Sequence, residues 1–266
     1  MYIIKANGEK EEFEKEKIIR TLSRSDVERN KAEEIAKEIE KNVSEGDTTR
    51  YIYKLILKEL DKLEPISSFV YKLREAISKI DSLKFELYIK QVLEANGYTC
   101  IWNKVINGDC ITHQIDIIAE KDFIYFVECK HHLNHHKMFG LGGVLEIQAR
   151  LEDLKDGYKK GKNKFNFKQA WLINNAKISN HAKRYAKAKN IKLTGWRFGG
   201  DESLEWLVQK KKIYPISVLK IDENSKKRLF NNNILTIQDL FKKSDFVRKI
   251  LKNKFDYVLK QARHLT

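Results

Sequence analysis

The chain has 266 residues, 42% hydrophobic and 11% aromatic, enough for one large domain or two to three small ones, which excludes global disorder. Its 52 Lys and Arg against 37 Asp and Glu give a net charge of +15, which points to nucleic acid ahead of an anionic membrane surface, unless it reflects a Lys-rich base composition. Three cysteines without a CxxC argue against a disulfide scaffold or zinc ribbon, no apolar run approaches the ~18 residues of a membrane span, and "MYIIKANGEK" lacks a signal-peptide layout, so a cytoplasmic protein without membrane segments is expected.

"YIIKANGEKEEF" reads as two short extended runs turned at Asn7-Gly8. Apolar residues then recur at helical spacing in "EKEKIIRTLSRS", "NKAEEIAKEIEKNV" and "TTRYIYKLILKELDKL", the last capped by Thr48 or Thr49. "ISSFVYKLREAISKI" carries helix to about residue 80. From residue 81 the pattern changes: "DSLKFELYIKQVLEANGY" is an amphipathic helix stopped at Asn96-Gly97, followed by extended runs over residues 98–106, 110–118 and 123–130. Next come the helix "GGVLEIQARLEDLKDGYKKG", the apolar strand "KQAWLINN", the basic helix "SNHAKRYAKAKN" with Ser179 or Asn180 as its cap, and a late strand in "IKLTGWRF". Strands alternating with helices predict an α/β core, a mixed sheet flanked by helices. The basic run at residues 210–212 and Pro215 mark a boundary, beyond which the last fifty residues read as helical. The expected division is therefore 1–80, 81–212 and 213–266.

Within "HQIDIIAEKDFIYFVECKHH", charged residues interrupt a run that otherwise reads as core, and unpaired burial of charge is expensive. Strand alternation puts Glu128 and Lys130 on one face with Ile124 and Phe126. If residues 121–123 form the hairpin loop, Glu120 closes it opposite Ile124 and Asp116 falls across from Glu128. Two carboxylates at that spacing need a cation or a shared proton, and oxygen ligands suit Mg²⁺ or Mn²⁺. Lys130 is then placed to position or deprotonate a water, or to stabilise charge on phosphate. From spacing alone, a salt-bridge cluster at a sheet edge stands level with that chemistry.

"IDII…FVECK" resembles the D…ExK signature of the PD-(D/E)xK nucleases, in particular the Mrr-like restriction endonucleases, over roughly residues 81 to 208. "KFELYIKQVLEANGY" is similar to the leading helix of that family, and "AWLINNAKISNHAKRYAKAKNIKL" to the strand and basic helix after its active site. The resemblance implies a restriction-endonuclease-like core, with Asp116 and Glu128 as metal ligands and Lys130 as the catalytic lysine. Glu86 would be an accessory acid and Gln148 a further contributor, with a solvated helix position as the alternative for each. His131 and His132, behind Lys130, and Lys183 and Arg184 on the basic helix are expected to meet DNA. The four histidines of "HHLNHHKM" lack the Cys or acid that would complete a transition-metal site.

Residues 1 to about 80 resemble an ATP-cone, with "IIKANGEKEEFEKEKIIRTL" as its hairpin and first helix. Lys5 and Lys17 match the nucleotide-binding positions of that family, whereas Ala6 replaces a basic residue. The implied role is regulatory binding of ATP or dATP, since no P-loop is present, or oligomerisation through a cone that has lost its nucleotide. "NNNILTIQDL" is similar to the turn of helix-hairpin-helix or SAM-like modules without the hairpin glycine, which leaves duplex binding and protein interaction open. Together these features predict a metal-dependent DNA endonuclease acting on double-stranded DNA in restriction or DNA processing. A homodimer is the simple route to paired strand cuts. The alternative is a nucleic-acid-binding or nucleotide-sensing protein whose nuclease-like core does not cut.

Overall fold

The computed structural model describes residues 1–25, 27–63 and 65–266. The chain divides into two compact units, Met1–Leu73 and Arg74–Thr266.

The first unit opens with an antiparallel hairpin, β1 (Tyr2–Ile4) and β2 (Lys10–Glu12). Lys5 N donates to Glu9 O and Gly8 N to Lys5 O, so Ala6, Asn7 and Gly8 form a three-residue loop with Gly8 at φ 85°. Helices α1 (Lys15–Ser23), α2 (Arg29–Asn42), α3 (Thr49–Leu63) and α4 (Pro65–Tyr71) follow. Their apolar positions fall three or four apart, at Ile18/Leu22, Ala32/Ile35/Ile39 and Ile52/Ile56/Leu60, and close one core over Ile3.

The second unit is a mixed sheet between helices, as the alternating pattern predicts. After α5 (Leu73–Ser78), α6 (Ser82–Ala95) starts where the Asp81 carboxylate accepts from Lys84 N. The sheet is built from β3 (Thr99–Asn107), β4 (Thr112–Glu120), β5 (Ile124–Lys130), β7 (Phe167–Asn174) and β9 (Lys192–Thr194), in the order β3-β4-β5-β7-β9. The β3–β4 and β4–β5 pairs are antiparallel, and β5–β7 and β7–β9 are parallel. A small parallel pair, β6 (Met138–Phe139) with β8 (Lys177–Ile178), joins two loops; two residues are too few to leave a periodic signal.

Helices α7 (Gly142–Lys159) and α8 (Asn180–Ala188) cover one face of the sheet, where Val144, Ile147, Leu151 and Ala182 meet Phe126, Ala170 and Leu172. α6 packs against β3, β4 and β5 from the other side. The β3–β4 turn fixes α7 in place: the Asp153 carboxylate accepts from Cys110 N and pairs with His113 Nε2 at 2.7 Å. A Cβ on Gly157 would lie 2.6 Å from the carbonyl carbon of Gly108, so the two backbones are in direct contact there.

The late strand expected through residue 198 ends at Thr194; the next residue, Gly195, sits close against Ala176 and Ile178, where a Cβ would lie 3.1 to 3.2 Å from their atoms. α9 (Leu204–Lys210) then leads to α10 (Glu223–Asn231), α11 (Ile237–Lys242), α12 (Ser244–Leu251) and α13 (Phe255–Arg263). The hairpin glycine missing from "NNNILTIQDL" is replaced by Asn233 at φ 54°, one of the few other residues that readily adopts the left-handed region. Thr236 and Asp239 close a capping box on α11. The segment is tied to α6 through Gln91 Nε2 to Asp239 Oδ2 at 3.2 Å and Tyr88 Oη to Ile213 O at 2.8 Å.

Candidate active site

The β4–β5 hairpin pairs Glu120 with Ile124, Ala119 with Tyr125, Ile118 with Phe126 and Ile117 with Val127, so its loop is residues 121–123 as expected. One further step of that register sets Asp116 opposite Glu128. On the β3 side the ladder is interrupted between Trp102↔Ile117 and Lys104↔Ile115 without a change of register, and Asn103, across from Asp116, sits at φ 52°. Ile115 and Ile118 both belong to the α7-side core, although strict alternation would put them on opposite faces. Asp116 lies between them and accepts from Cys129 N at 2.8 Å through Oδ2.

Glu128 is 7% exposed, and each of its oxygens has a cationic partner. Lys130 Nζ lies 2.8 Å from Oε1 and Arg150 Nη1 2.6 Å from Oε2. Arg150 reaches in from α7, donates also to Gln114 O, and lays its guanidinium over the Phe126 ring at 4.9 Å. Burial lowers the proton affinity of Lys130, but the hydrogen bond and charge of Glu128 outweigh it, so the net shift is upward and the group is an ammonium ion. Asp116 is pushed up to about 7, first by burial and then by the negative charge of Glu128, with the Cys129 amide opposing. Glu86, on α6, is raised as well: burial dominates, Trp102 Nε1 at 3.3 Å opposes it, and the charge of Glu128 adds to it.

Asp116, Glu128, Lys130 and Glu86 therefore share one electrostatic neighbourhood. From α7, Arg150 reaches Glu128, and the Gln148 amide donates to Glu152 at 2.7 Å. His131 packs on Phe85 at 4.9 Å with Nε2 3.3 Å from Ile77 O, while the backbone of His132 exchanges two 2.8 Å hydrogen bonds with the Asn175 amide. Burial lowers the proton affinity of both rings, so they offer hydrogen-bonding groups and no extra positive charge near neutral pH. Lys183 sits over the Phe198 ring at 4.8 Å and Arg184 is exposed on the same helix.

The donor set fits a hard divalent cation. No cluster of three or more His, Cys, Asp or Glu close enough to hold a metal ion occurs among the described residues. Mg²⁺ needs only one or two carboxylates, with water and substrate oxygens completing its shell. The raised proton affinity of Asp116 comes first from burial and then from the charge of Glu128, and a cation held between the two carboxylates would lower it.

In the first unit, Lys5 and Lys17 converge on one acid: their Nζ atoms lie 3.3 and 3.0 Å from Glu11 Oε1. Glu14 adds a 2.7 Å contact to Lys17. Ala6 lies in the loop beside them, where the resemblance implies a third cation.

Residues 77–196 match the family model described as Restriction endonuclease, of the Mrr catalytic type, and residues 1–64 match that of the ATP cone domain. An uncharacterized protein of Archaeoglobus fulgidus is 34% identical over 151 residues, covering 56% of this chain and 82% of the relative. The crystal structure of the protein of unknown function AF1548 resembles this one with a TM-score of 0.57 at 30% identity, over 69% of this chain and 97% of that one.

Proposed function

This chain belongs to the Mrr restriction endonuclease family, with an ATP cone domain ahead of its nuclease fold, and from that premise we propose that it is a Mg²⁺- or Mn²⁺-dependent endonuclease hydrolysing phosphodiester bonds of double-stranded DNA. The observation that carries the proposal is the meeting of one carboxylate from each arm of a hairpin with an ammonium and a guanidinium group, Asp116 and Glu128 beside Lys130 and Arg150. The net charge of +15 suits a polyanionic substrate.

Asp116 and Glu128 would hold the cation; when bound, such an ion activates water and offsets charge on the phosphate oxygens. Asp116 acts as a ligand in its ionised form. Lys130, held as an ammonium ion by Glu128, donates to the phosphate as negative charge develops in the transition state. Arg150 orients Glu128 and contributes positive charge from the α7 side. Glu86 serves as an accessory acid. Lys183 and Arg184 present cations to the DNA backbone, and His131 and His132 bracket the site as neutral donors. Residues 1–80 then form a regulatory unit that binds ATP or dATP between Lys5 and Lys17, and residues 213–266 a helical support seated on α6.

Conversion of supercoiled plasmid to nicked circles in Mg²⁺ or Mn²⁺ tests the reading. Wild-type protein is expected to nick, and Asp116→Ala and Lys130→Ala to lose the activity; equal nicking by all three would assign it to a contaminant. One observation favours a second reading: both oxygens of Glu128 are already taken by cations. Binding without nicking in either metal would select that reading, a DNA sensor with a nuclease-like core.

A further inference from the structure

Beyond the carboxyl end of β5, the same end of the parallel strands carries a cleft of about 350 Å³. Its lining includes Arg74, Lys177, Lys183 and Arg197, with Trp196 and Phe198 as its aromatic members. Register places it close to the carboxylate site. Lys130, the last residue of β5, pairs with Asn174, the last of β7, and the cleft begins two residues later at Ala176. β9, which leads into Trp196, lies two strand spacings from β5, about 10 Å.

The charges in this cleft are poorly matched. Glu205 binds the Arg197 guanidinium at 2.9 to 3.2 Å and fixes its plane. Arg74 donates to His135 O at 2.5 Å, but its Nε is buried without a hydrogen-bond partner. Burial and the nearby charge of Arg197 bring Arg74 down to about 10, and burial together with the charge of Arg74 lowers His135 to about 4. Two guanidinium groups in each other's field, with Lys183 alongside, call for an anion. Phe198 is 36% exposed at the rim, under the Lys183 ammonium, and Trp196 forms part of the wall. Cations beside an accessible aromatic ring are what a single unstacked nucleotide uses: phosphate on the charges, base on the ring. A cleft of about 350 Å³ has room for a single nucleotide and not for a base-paired helix, so a nucleotide that enters it comes from unpaired or extruded DNA. Arg74, Arg197 and Phe198 fall just outside the residues that match the endonuclease family.

We propose that this cleft holds one unpaired nucleotide of the DNA substrate, its phosphate on Arg74, Lys183 and Arg197 and its base against Phe198, so that the protein favours DNA containing an unpaired base. The inference rests on the nuclease reading and deepens it by naming the substrate class. The test is fluorescence anisotropy of the full chain in EDTA with a fully paired duplex and the same duplex carrying one bulged base. Wild type is expected to bind the bulged duplex about ten-fold more tightly. Phe198→Ala should bring that ratio close to one while leaving affinity for paired duplex within about two-fold, and Phe198→Trp should restore it. A ratio of one in wild type, or an unchanged ratio in Phe198→Ala, overturns the proposal. So does competition by free dAMP at the concentration at which the bulged strand competes, because it assigns the cleft to free nucleotide. Nicking assayed separately in Mg²⁺ keeps the two readings apart: a preserved ten-fold ratio without nicking supports the cleft and sinks the nuclease, and nicking with a ratio of one does the reverse.

Discussion

Lys5, Lys17 and Glu11 in the first unit, and Asp116, Glu128 and Lys130 in the second, are both small clusters of mixed charge, but they differ in burial. In the first unit two lysines, 36% and 42% exposed at their side chains, share one carboxylate that is 29% exposed. Water screens these contacts, and Glu9 and Glu14 add further exposed acids to the two lysines. In the second, the Glu128 side chain is only 9% exposed, and its field combines with burial to push Asp116 up to about 7. Exposed cations can trade solvent-screened acids for phosphate at little cost. Buried carboxylates hold their charge only with a cation. Similar residue types thus favour opposite partners, and the surroundings decide which.

The strongest way to break this comparison is to remove the ammonium from the buried cluster. Lys130→Ala should lower the nicking rate by about 10²–10³-fold while DNA binding in EDTA is retained; a loss below ten-fold would remove Lys130 from the chemistry. Next is Arg150→Ala, which strips one cationic partner from a nearly buried carboxylate. It should lower stability in EDTA by about 3 kcal/mol, part of which millimolar Mg²⁺ restores, as read by urea unfolding.

Asp116→Asn gives a smaller effect with a defined sign. The folded-state value of about 7 lies above the unfolded ~3.9, so the contribution of the carboxyl group to stability is fully present below pH ~4 and is lost as pH rises through 7. The variant should therefore melt about 2–4 °C higher than wild type at pH 8, on the order of 1 kcal/mol, and no higher at pH 4. The smallest change is expected in the exposed cluster. Glu11→Gln should leave the melting temperature within about 2 °C and tighten ATP binding a few-fold, and Lys17→Ala should weaken it. Calorimetric titration of wild type showing no heat up to millimolar ATP or dATP would remove nucleotide from this unit.

The order of elements was legible because each hydrophobic pattern has one periodicity, and the loop at residues 121–123 followed from requiring Asp116 and Glu128 to meet. Arg150 was not legible. On α7 the buried stripe is Val144, Ile147, Leu151 and Leu154, and residues 148 and 150 lie on its opposite flanks at 3.6 residues per turn. Sequence offers both as polar flank positions, and only the placement of α7 on β5 decides that Arg150 faces Glu128. The Arg at the stripe edge, four residues after Glu146, was the signal available. The histidines after Lys130 stood out by number, yet their role depends on Phe85, Ile77 and Asn175, far away in the chain.

Sequence alone determined the hairpin-and-helices first unit, the mixed α/β sheet, and the residue types of the carboxylate–lysine group, because periodicity and turn chemistry are local properties of the chain. The tertiary structure decided the left-handed Asn103 that interrupts the β3–β4 ladder across from Asp116, the arrival of Arg150 and Glu86 from opposite faces of the sheet, and the basic cleft past β7 and β9. Those features depend on groups that come together only when the layers pack, and on the burial that packing imposes.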